Sequence, residues 1–324
     1  MKVDLVKILS PLDEQLQEVE LEIRKRMNSG VPEIDEAARY LFDQGGKRIR
    51  ASMVLLSAGL SGSIPPGTVQ IASAVEIVHS ATLIHDDIID GSLLRRGNMS
   101  APRKWGSKMS VLLGDFMYTL ALSIALETGD EEIYPVMVEG TKSMVEGELY
   151  QLHYSNIERI NREHYFRIIE LKTARFMAAC SRMGAIKGGL SAVERDRLYE
   201  FGLNTGYAFQ IIDDTLDLIE NTQGIGKDIR SDIKSGKVTL PLIYLMEDKS
   251  VDAAGLLRGY IDDPSDERWD EIITLLKNSS SIERSITEAE DYVKKAFGYL
   301  SGFSRNLYWD MLVDLSNFFV KRNY

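Results

Sequence analysis

Two clusters of aspartates have a spacing that suits metal binding. The pattern Asp-Asp-x-x-Asp occurs twice, at Asp86, Asp87 and Asp90 and again at Asp213, Asp214 and Asp217. On a helix, residues four apart lie on one face, so each cluster presents a pair of carboxylates that repel each other unless a cation lies nearby. Magnesium prefers such hard oxygen ligands, together with waters and substrate phosphates. The repeated pattern therefore predicts a magnesium site that receives a diphosphate.

The residues before each cluster strengthen this interpretation. A single acidic cluster is more often a solvated helix end than a metal site. Both clusters here follow apolar residues, namely Ala81, Leu83 and Ile84 in one case and Phe209, Ile211 and Ile212 in the other. Each cluster is therefore expected to emerge from a core, and two such helix ends facing each other would form a cage of oxygen ligands.

Two short basic segments are candidates for binding the anionic substrate. Gly45-Gly46-Lys47-Arg48-Ile49-Arg50 sets three cations beside a glycine pair, where the backbone can approach an anion closely. Arg95-Arg96-Gly97 follows the first aspartate cluster, and the planar fork of arginine matches phosphate oxygens. Either segment alone would equally fit an ordinary basic turn. Neither has the Ser or Thr that follows Gly-Lys in a Walker A motif, which excludes a P-loop nucleotidase.

The elements that must position these residues are helices. Apolar residues recur at helical intervals, the alternation typical of strands is absent, and the breaks between helices are short. Residues 191–194 and 280–283 each have the form of a capping box, which predicts helix starts there. The segments 69–84 and 111–126 are apolar nearly all round, as central helices are. We therefore predict an all-α protein in which residues 1–324 form a single large domain.

The composition excludes several classes of protein. Hydrophobic residues make up 44% and charged residues 27%, as in soluble globular proteins. The net charge of −11 argues against binding of nucleic acid, which needs a basic surface. The single cysteine, Cys180, cannot form an internal disulfide. Because there is no signal-peptide pattern and no apolar stretch of about 18 residues, we expect a cytoplasmic protein without a transmembrane segment.

Six short motifs occur in order along the chain. They are Gly-Gly-Lys-Arg-Ile-Arg at 45–50, His-Ser-Ala-Thr-Leu-Ile-His-Asp-Asp-Ile-Ile-Asp at 79–90, Arg-Arg-Gly at 95–97, Gly-Asp-Phe at 114–116, Phe-Gln-Ile-Ile-Asp-Asp-Thr-Leu-Asp at 209–217 and Lys-Val-Thr-Leu-Pro at 237–241. This ordered set resembles the trans-isoprenyl diphosphate synthases, most closely the medium- and long-chain polyprenyl diphosphate synthases. Two positions depart from the family pattern: Ala51 stands where a proline is usual, and Arg230 where a glycine is usual.

The resemblance implies a fold, a reaction and a set of site residues. The fold would be a helical bundle of the isoprenoid synthase type around a central apolar cavity, assembled as a homodimer through central helices. The reaction would condense isopentenyl diphosphate with an allylic diphosphate by ionisation, condensation and elimination. Three magnesium ions per active site would be held by Asp86, Asp87, Asp90, Asp213, Asp214 and Asp217. Isopentenyl diphosphate would be bound by Lys47, Arg50, His79 and Arg96, and the allylic diphosphate by Arg95, Lys172, Thr173, Gln210, Lys227 and Lys237. The catalytic members of these sets would be Asp86, Asp90, Asp213, Lys172 and Arg95.

The length of the product is predicted from two small residues. In the resembling family, short-chain members often carry an aromatic residue four or five positions before the first aspartate cluster, where it blocks the product tunnel. Thr82 and Ala81 stand there, about 6–8 Å below Asp86 along a helix. We therefore expect products of C30 to C40. The alternative is geranylgeranyl diphosphate (C20), if Met117 or Tyr118 forms a higher floor.

Two other functions compete with prenyl transfer. A terpene cyclase binds one diphosphate, whereas the second cationic set of Lys47, Arg50 and Arg96 suits a second diphosphate. A non-catalytic subunit of a heteromeric synthase could lose its aspartates, whereas both clusters are complete here.

Overall fold

Helices account for nearly all the secondary structure of this computed structural model, which describes residues 4–42, 45–95, 97–222, 229–248 and 251–321. The helices of the N-terminal half are α1 (Leu5–Leu9), a 3₁₀ turn (Ser10–Leu12), α2 (Asp13–Arg26), α3 (Pro32–Phe42), α4 (Ile49–Gly59), α5 (Thr68–Ile89), α6 (Ala101–Trp105), α7 (Ser107–Glu127) and α8 (Ile133–Tyr154). Those that follow are α9 (Arg162–Ile169), a π-helical turn (Glu170–Ala174), α10 (Arg175–Lys187), α11 (Ala192–Thr222), α12 (Ile229–Lys234), α13 (Leu240–Glu247), α14 (Ala253–Asp262), α15 (Asp266–Asn278), α16 (Ser281–Leu300) and α17 (Leu307–Lys321). The predicted all-α class is therefore confirmed.

A short hairpin follows the first aspartate cluster. Its strands, β1 (Leu94–Arg95) and β2 (Asn98–Met99), pair antiparallel, with Leu94 opposite Met99. The sequence predicted no strands, and two-residue strands are too short to show an alternating pattern.

One of the two predicted capping boxes is present. The Ser191 backbone N–H donates to Glu194 Oε2 (2.8 Å) and the Glu194 N–H donates to Ser191 Oγ (3.4 Å), so the box forms just before α11. At α16 the prediction is wrong, because Ser280 precedes the helix without a side-chain capping bond.

Small residues let α10 lie at the centre of the bundle between α4 and α11. A Cβ atom on Gly184 of α10 would collide with the Val54 carbonyl oxygen of α4. A Cβ atom on Gly202 of α11 would stand 2.7 Å from the Met177 carbonyl oxygen of α10. Glycines at these contacts allow the backbones to approach closely, and the surrounding side chains are fully buried.

The two apolar helices α5 and α7 pack along each other but differ in burial. From Ile71 to Val78, α5 is buried, as predicted for a central helix. The helix α7 is long and apolar enough to cross a membrane, yet only 39% of its apolar window is buried. Leu112 is 64% exposed and Leu126 is 66% exposed. The prediction that helices surround α7 is therefore wrong for the single chain, which leaves one apolar face of α7 uncovered.

Candidate active site

The first aspartate cluster lies at the C-terminal end of α5, and its members contact different partners. Asp87 is buried, and Arg95 Nε donates to both of its carboxylate oxygens (2.8 and 2.9 Å) while Arg95 Nη2 lies 2.7 Å from Oδ1. This bidentate pair neutralises both residues and joins the end of α5 to β1. Asp87 and Arg95 are therefore held by each other in this structure, whereas the sequence predicted that one binds metal and the other substrate.

Asp86 and Asp90, the pair predicted from the four-residue spacing, each face a lysine. Lys172 Nζ lies 4.0 Å from Asp86 Oδ2, and Lys237 Nζ lies 2.6 Å from Asp90 Oδ1. Both lysines were predicted from the sequence as ligands of the allylic diphosphate. The structure brings these four residues together, although Lys172 and Lys237 come from the π turn and from the segment before α13.

Burial and charge shift the protonation of the Asp86–Lys172 pair. Desolvation raises the pKa of Asp86, and the charges of Glu148 and Asp90 raise it further, against the opposing effect of Lys172. Desolvation lowers the pKa of Lys172, but the carboxylates of Asp86 and Glu148 more than offset it, so the pKa is raised overall. The lysine therefore stays an ammonium ion.

Glu148 is a site residue that the sequence did not indicate. It is buried on α8, forms a close ion pair with Lys172, and lies one turn before Gln151, whose Oε1 accepts from Lys172 Nζ (3.4 Å). A Cβ atom on the preceding residue, Gly147, would stand 2.7 Å from the Lys172 backbone nitrogen, so α8 approaches the π turn closely. A lone glutamate within a helix carries no local signal of such a role.

The second cluster lies on α11, where Asp214 is part of a hydrogen-bonded chain. Tyr165 Oη donates to Asp214 Oδ2 (2.6 Å) and Gln210 Nε2 donates to Asp214 Oδ1 (2.9 Å). Thr173 Oγ1 in turn donates to Gln210 Oε1 (2.8 Å). Desolvation raises the pKa of Asp214 to about 7, against the lowering effect of the two donated hydrogen bonds, and the charges of Asp213 and Asp217 raise it further. Gln210 and Thr173 were predicted as site residues, and Tyr165 was not.

The carboxylates of Asp86 and Asp90 fit a hard divalent cation that also binds the substrate. Among the residues that the structure describes, no three carboxylate, imidazole or thiol side chains stand close enough to hold a metal ion by themselves. Asp86 and Asp90 are nevertheless partly buried, carry hard oxygen donors and already attract cationic groups. Magnesium binds through one or two carboxylates when substrate phosphates complete its coordination. The donor set therefore suits a metal that arrives with a diphosphate.

The first basic segment is held by a strained, buried arginine. Arg48 has a φ of 47°, is buried, and lies 3.6 Å from Glu76 Oε2 and 3.3 Å from Glu20 Oε1. Glu76 belongs to α5, one turn before the predicted ligand His79, so this ion pair joins the basic segment to the helix that bears the aspartates. Lys47 is exposed and Arg50 partly buried on either side of Arg48.

Both departures from the family pattern have local structural partners. The Ala51 backbone N–H donates to Glu76 Oε1 (3.0 Å), a bond that a proline could not make. Arg230 Nη1 lies 2.6 Å from Asp266 Oδ1, and its guanidinium lies over the Trp269 ring at 5.4 Å, so α12 is attached to α15 by contacts that a glycine could not make.

The other predicted residues are placed as follows. Ala81 is fully buried, and the Thr82 hydroxyl donates to the His79 carbonyl oxygen (2.7 Å). Of the two candidate floor residues, Met117 is fully buried, whereas burial and then the charge of Asp86 raise the pKa of Tyr118, which places Tyr118 near the aspartates. Arg96 and Lys227 lie outside the described residues.

Comparison with known proteins places the chain among prenyl synthases. Residues 31–276 match the polyprenyl synthetase family. The chain is 33% identical over 325 residues to an octaprenyl diphosphate synthase of Haemophilus influenzae, covering 100% of this chain and 98% of that protein. It is 33% identical to heptaprenyl diphosphate synthase component 2 of Geobacillus stearothermophilus, covering 97% of each. A crystal structure of a polyprenyl synthase from Caulobacter crescentus, complexed with calcium and isoprenyl diphosphate, superposes with a TM-score of 0.93 at 32% identity, covering 100% of this chain and 99% of that one.

Proposed function

Because this chain belongs to the polyprenyl synthetase family, we propose that it is a trans-prenyltransferase that joins isopentenyl diphosphate to an allylic diphosphate, with products of C30 to C40. The reaction class is supported by two neighbouring ion pairs, Asp86 with Lys172 and Asp90 with Lys237. Carboxylates that attract cations, beside ammonium groups that attract phosphates, form a site for a metal diphosphate. The octaprenyl and heptaprenyl relatives support a product of this length.

Each side chain of the site has a part in the proposed reaction. Lys172 and Lys237 would contact the oxygens of the allylic diphosphate and neutralise the charge that develops as it leaves. Asp86, Asp90 and Asp213 would hold magnesium, three ions per site, which when bound supplies Lewis-acid stabilisation of the leaving group. Lys47, Arg50 and His79 would hold isopentenyl diphosphate. The departing diphosphate accepts the proton lost in the last step, so no general base from the protein is required.

A product assay tests this function directly. The purified chain is incubated with labelled isopentenyl diphosphate, farnesyl diphosphate and magnesium, and the dephosphorylated products are separated by chromatography. We expect C30 to C40 alcohols, which disappear when isopentenyl diphosphate is omitted. Consumption of the allylic substrate alone would indicate a terpene cyclase. A main product of C20 would support a geranylgeranyl diphosphate synthase.

We also propose that the enzyme is a homodimer formed through the exposed face of α7. Leu112 and Leu126 of α7 and Val145 and Leu149 of α8 are exposed, although apolar side chains of this size gain about 1.5–3 kcal/mol each on burial. Because α7 packs along α5, its apolar face suits a partner subunit better than a membrane, which agrees with a cytoplasmic enzyme. One relative is named as component 2 of its synthase, so a different partner subunit is the alternative.

The mass and the activity of the chain alone separate these assemblies. Light scattering is expected to give twice the chain mass of 36.5 kDa, and Leu112→Asp is expected to reduce it to the monomer. Val6→Asp, which changes an apolar residue that is exposed elsewhere, is the matched control and should leave the dimer intact. A monomer that is active only after a second protein is added would contradict the homodimer.

A further inference from the structure

Four side chains form a directed chain of hydrogen bonds between the π turn and the second aspartate cluster. Tyr165 donates to Asp214, Gln210 donates to the other oxygen of Asp214, and Thr173 donates to Gln210. Tyr165 and Thr173 are buried, with 3% and 6% of their surface exposed. The chain therefore lies largely away from water, where the direction of each hydrogen bond matters most.

Asp214 determines the direction of every bond in this chain. Both carboxylate oxygens of Asp214 accept hydrogen bonds, one from Tyr165 and one from Gln210, so the amide of Gln210 turns its NH₂ group toward Asp214 and its carbonyl oxygen toward Thr173. The Thr173 hydroxyl has a single proton, and it is donated to that carbonyl oxygen. The free lone pairs of Thr173 Oγ1 are therefore the part left for a ligand.

We propose that Tyr165 and Asp214 are positioning residues that fix the orientation of the Gln210 amide. Through it they commit the Thr173 proton to Gln210, so that toward a ligand Thr173 can only accept a hydrogen bond. This inference deepens the proposed function and rests on it. A hydroxyl that offers lone pairs attracts an electron-poor group, such as an allylic carbon from which diphosphate is departing. It cannot donate to a diphosphate oxygen, which differs from the contact that the sequence predicted for Thr173.

The backbone around Thr173 is held on two sides, which fixes the position from which its side chain reaches Gln210. On one side, Ser143 Oγ of α8 donates to the Leu171 carbonyl oxygen (3.0 Å), one of the carbonyls in the π turn. On the other, a Cβ atom on Gly206 of α11 would stand 2.6 Å from Ala174 Cα. Single π turns recur at functional sites, where they reorient side chains. Here the turn presents Lys172 to Asp86 and Thr173 to Gln210.

A pair of isosteric substitutions tests the direction of the chain. In Asp214→Asn, the carboxamide accepts from Tyr165 with its oxygen and turns its NH₂ group toward Gln210. The Gln210 amide must then reverse, and Thr173 becomes an acceptor of that bond with its proton turned toward the ligand. In the product assay we expect kcat to fall about 10–100-fold while KM for both substrates stays within about threefold.

The double variant Asp214→Asn/Gln210→Glu keeps the net charge and the direction of the bonds that Tyr165 and Thr173 donate, and it reverses only the bond between positions 210 and 214. The introduced asparagine would donate to one oxygen of the introduced glutamate, and Thr173 would donate to the other. We expect its kcat to lie within about tenfold of the wild type, above that of either single variant, so the substitutions are strongly non-additive. A double variant no more active than the worse single variant would overturn the proposal.

Two controls distinguish a failure of this proposal from misfolding of the variants and from a failure of the proposed function. If a single variant does not fold, as judged by circular dichroism, the double variant compared with the wild type decides, and a loss above about a hundredfold overturns the proposal. If the wild type itself does not transfer isopentenyl diphosphate, the proposed function fails. If the wild type is active and the two substitutions are additive, only the role of Tyr165 and Asp214 fails.

Discussion

The raised pKa of Asp214 predicts how the stability of the protein depends on pH. The carboxyl has an ordinary pKa of 3.8, and burial raises it to about 7 in the folded protein. Between these values the folded protein binds a proton that the unfolded chain releases. The stability that this proton contributes is therefore fully present below pH 3.8 and is lost as the pH rises through 7. At about 1.36 kcal/mol per pKa unit, the loss amounts to at most about 4 kcal/mol.

Comparison of the wild type with Asp214→Asn isolates this contribution. The asparagine does not titrate, so the wild-type free energy of unfolding, minus that of the variant, should fall by about 2 kcal/mol between about pH 5 and pH 7. The measurement is urea unfolding in the presence of a chelator, with the exposed Asp262→Asn as the matched control. A difference that stays constant with pH would refute the reasoning. A rising difference would mean that the hydrogen bonds from Tyr165 and Gln210 outweigh desolvation.

Four further predictions concern the site and its supports. Asp86→Ala, or a chelator added to the wild type, should lower kcat by several orders of magnitude in the product assay because transition-state charge stabilisation is lost, and near-normal turnover would contradict the metal site. Arg50→Ala should raise KM for isopentenyl diphosphate by about one to two decades, because one charge-assisted hydrogen bond is lost. An equal rise in KM for both substrates would contradict separate binding sites. Ala81→Phe should shorten the main product by blocking the product tunnel that the family resemblance implies, while leaving the first condensation little changed. Unchanged product length would refute the role of Ala81. Ala51→Pro should lower the free energy of unfolding by about 1–3 kcal/mol because the buried Glu76 loses a donor, and urea unfolding with an unchanged midpoint would contradict this.

The all-α fold could be predicted because its signal is local in the sequence, and so could the placement of the candidate site residues on one helix face. Helical spacing and the capping box at Ser191 and Glu194 depend on residues within one or two turns, so a single sequence contains them. The same is true of Asp86 and Asp90, whose four-residue spacing puts them on one face of α5. The exposed face of α7 could not be predicted, because apolar residues all round a helix do not reveal which of them a single chain covers.

Only the tertiary structure decided which partners from elsewhere in the chain the aspartates contact. Asp87 and Asp214 follow Asp86 and Asp213 by one position, and one residue along a helix turns the side chain by about 100°. What meets a side chain at that angle comes from elsewhere in the chain. Asp87 meets Arg95 after the helix has ended, and Asp214 meets Tyr165, 49 residues away in sequence. The types and spacing of the chemical groups are properties of the sequence, whereas the partner of each group depends on packing between distant helices, which no local pattern records.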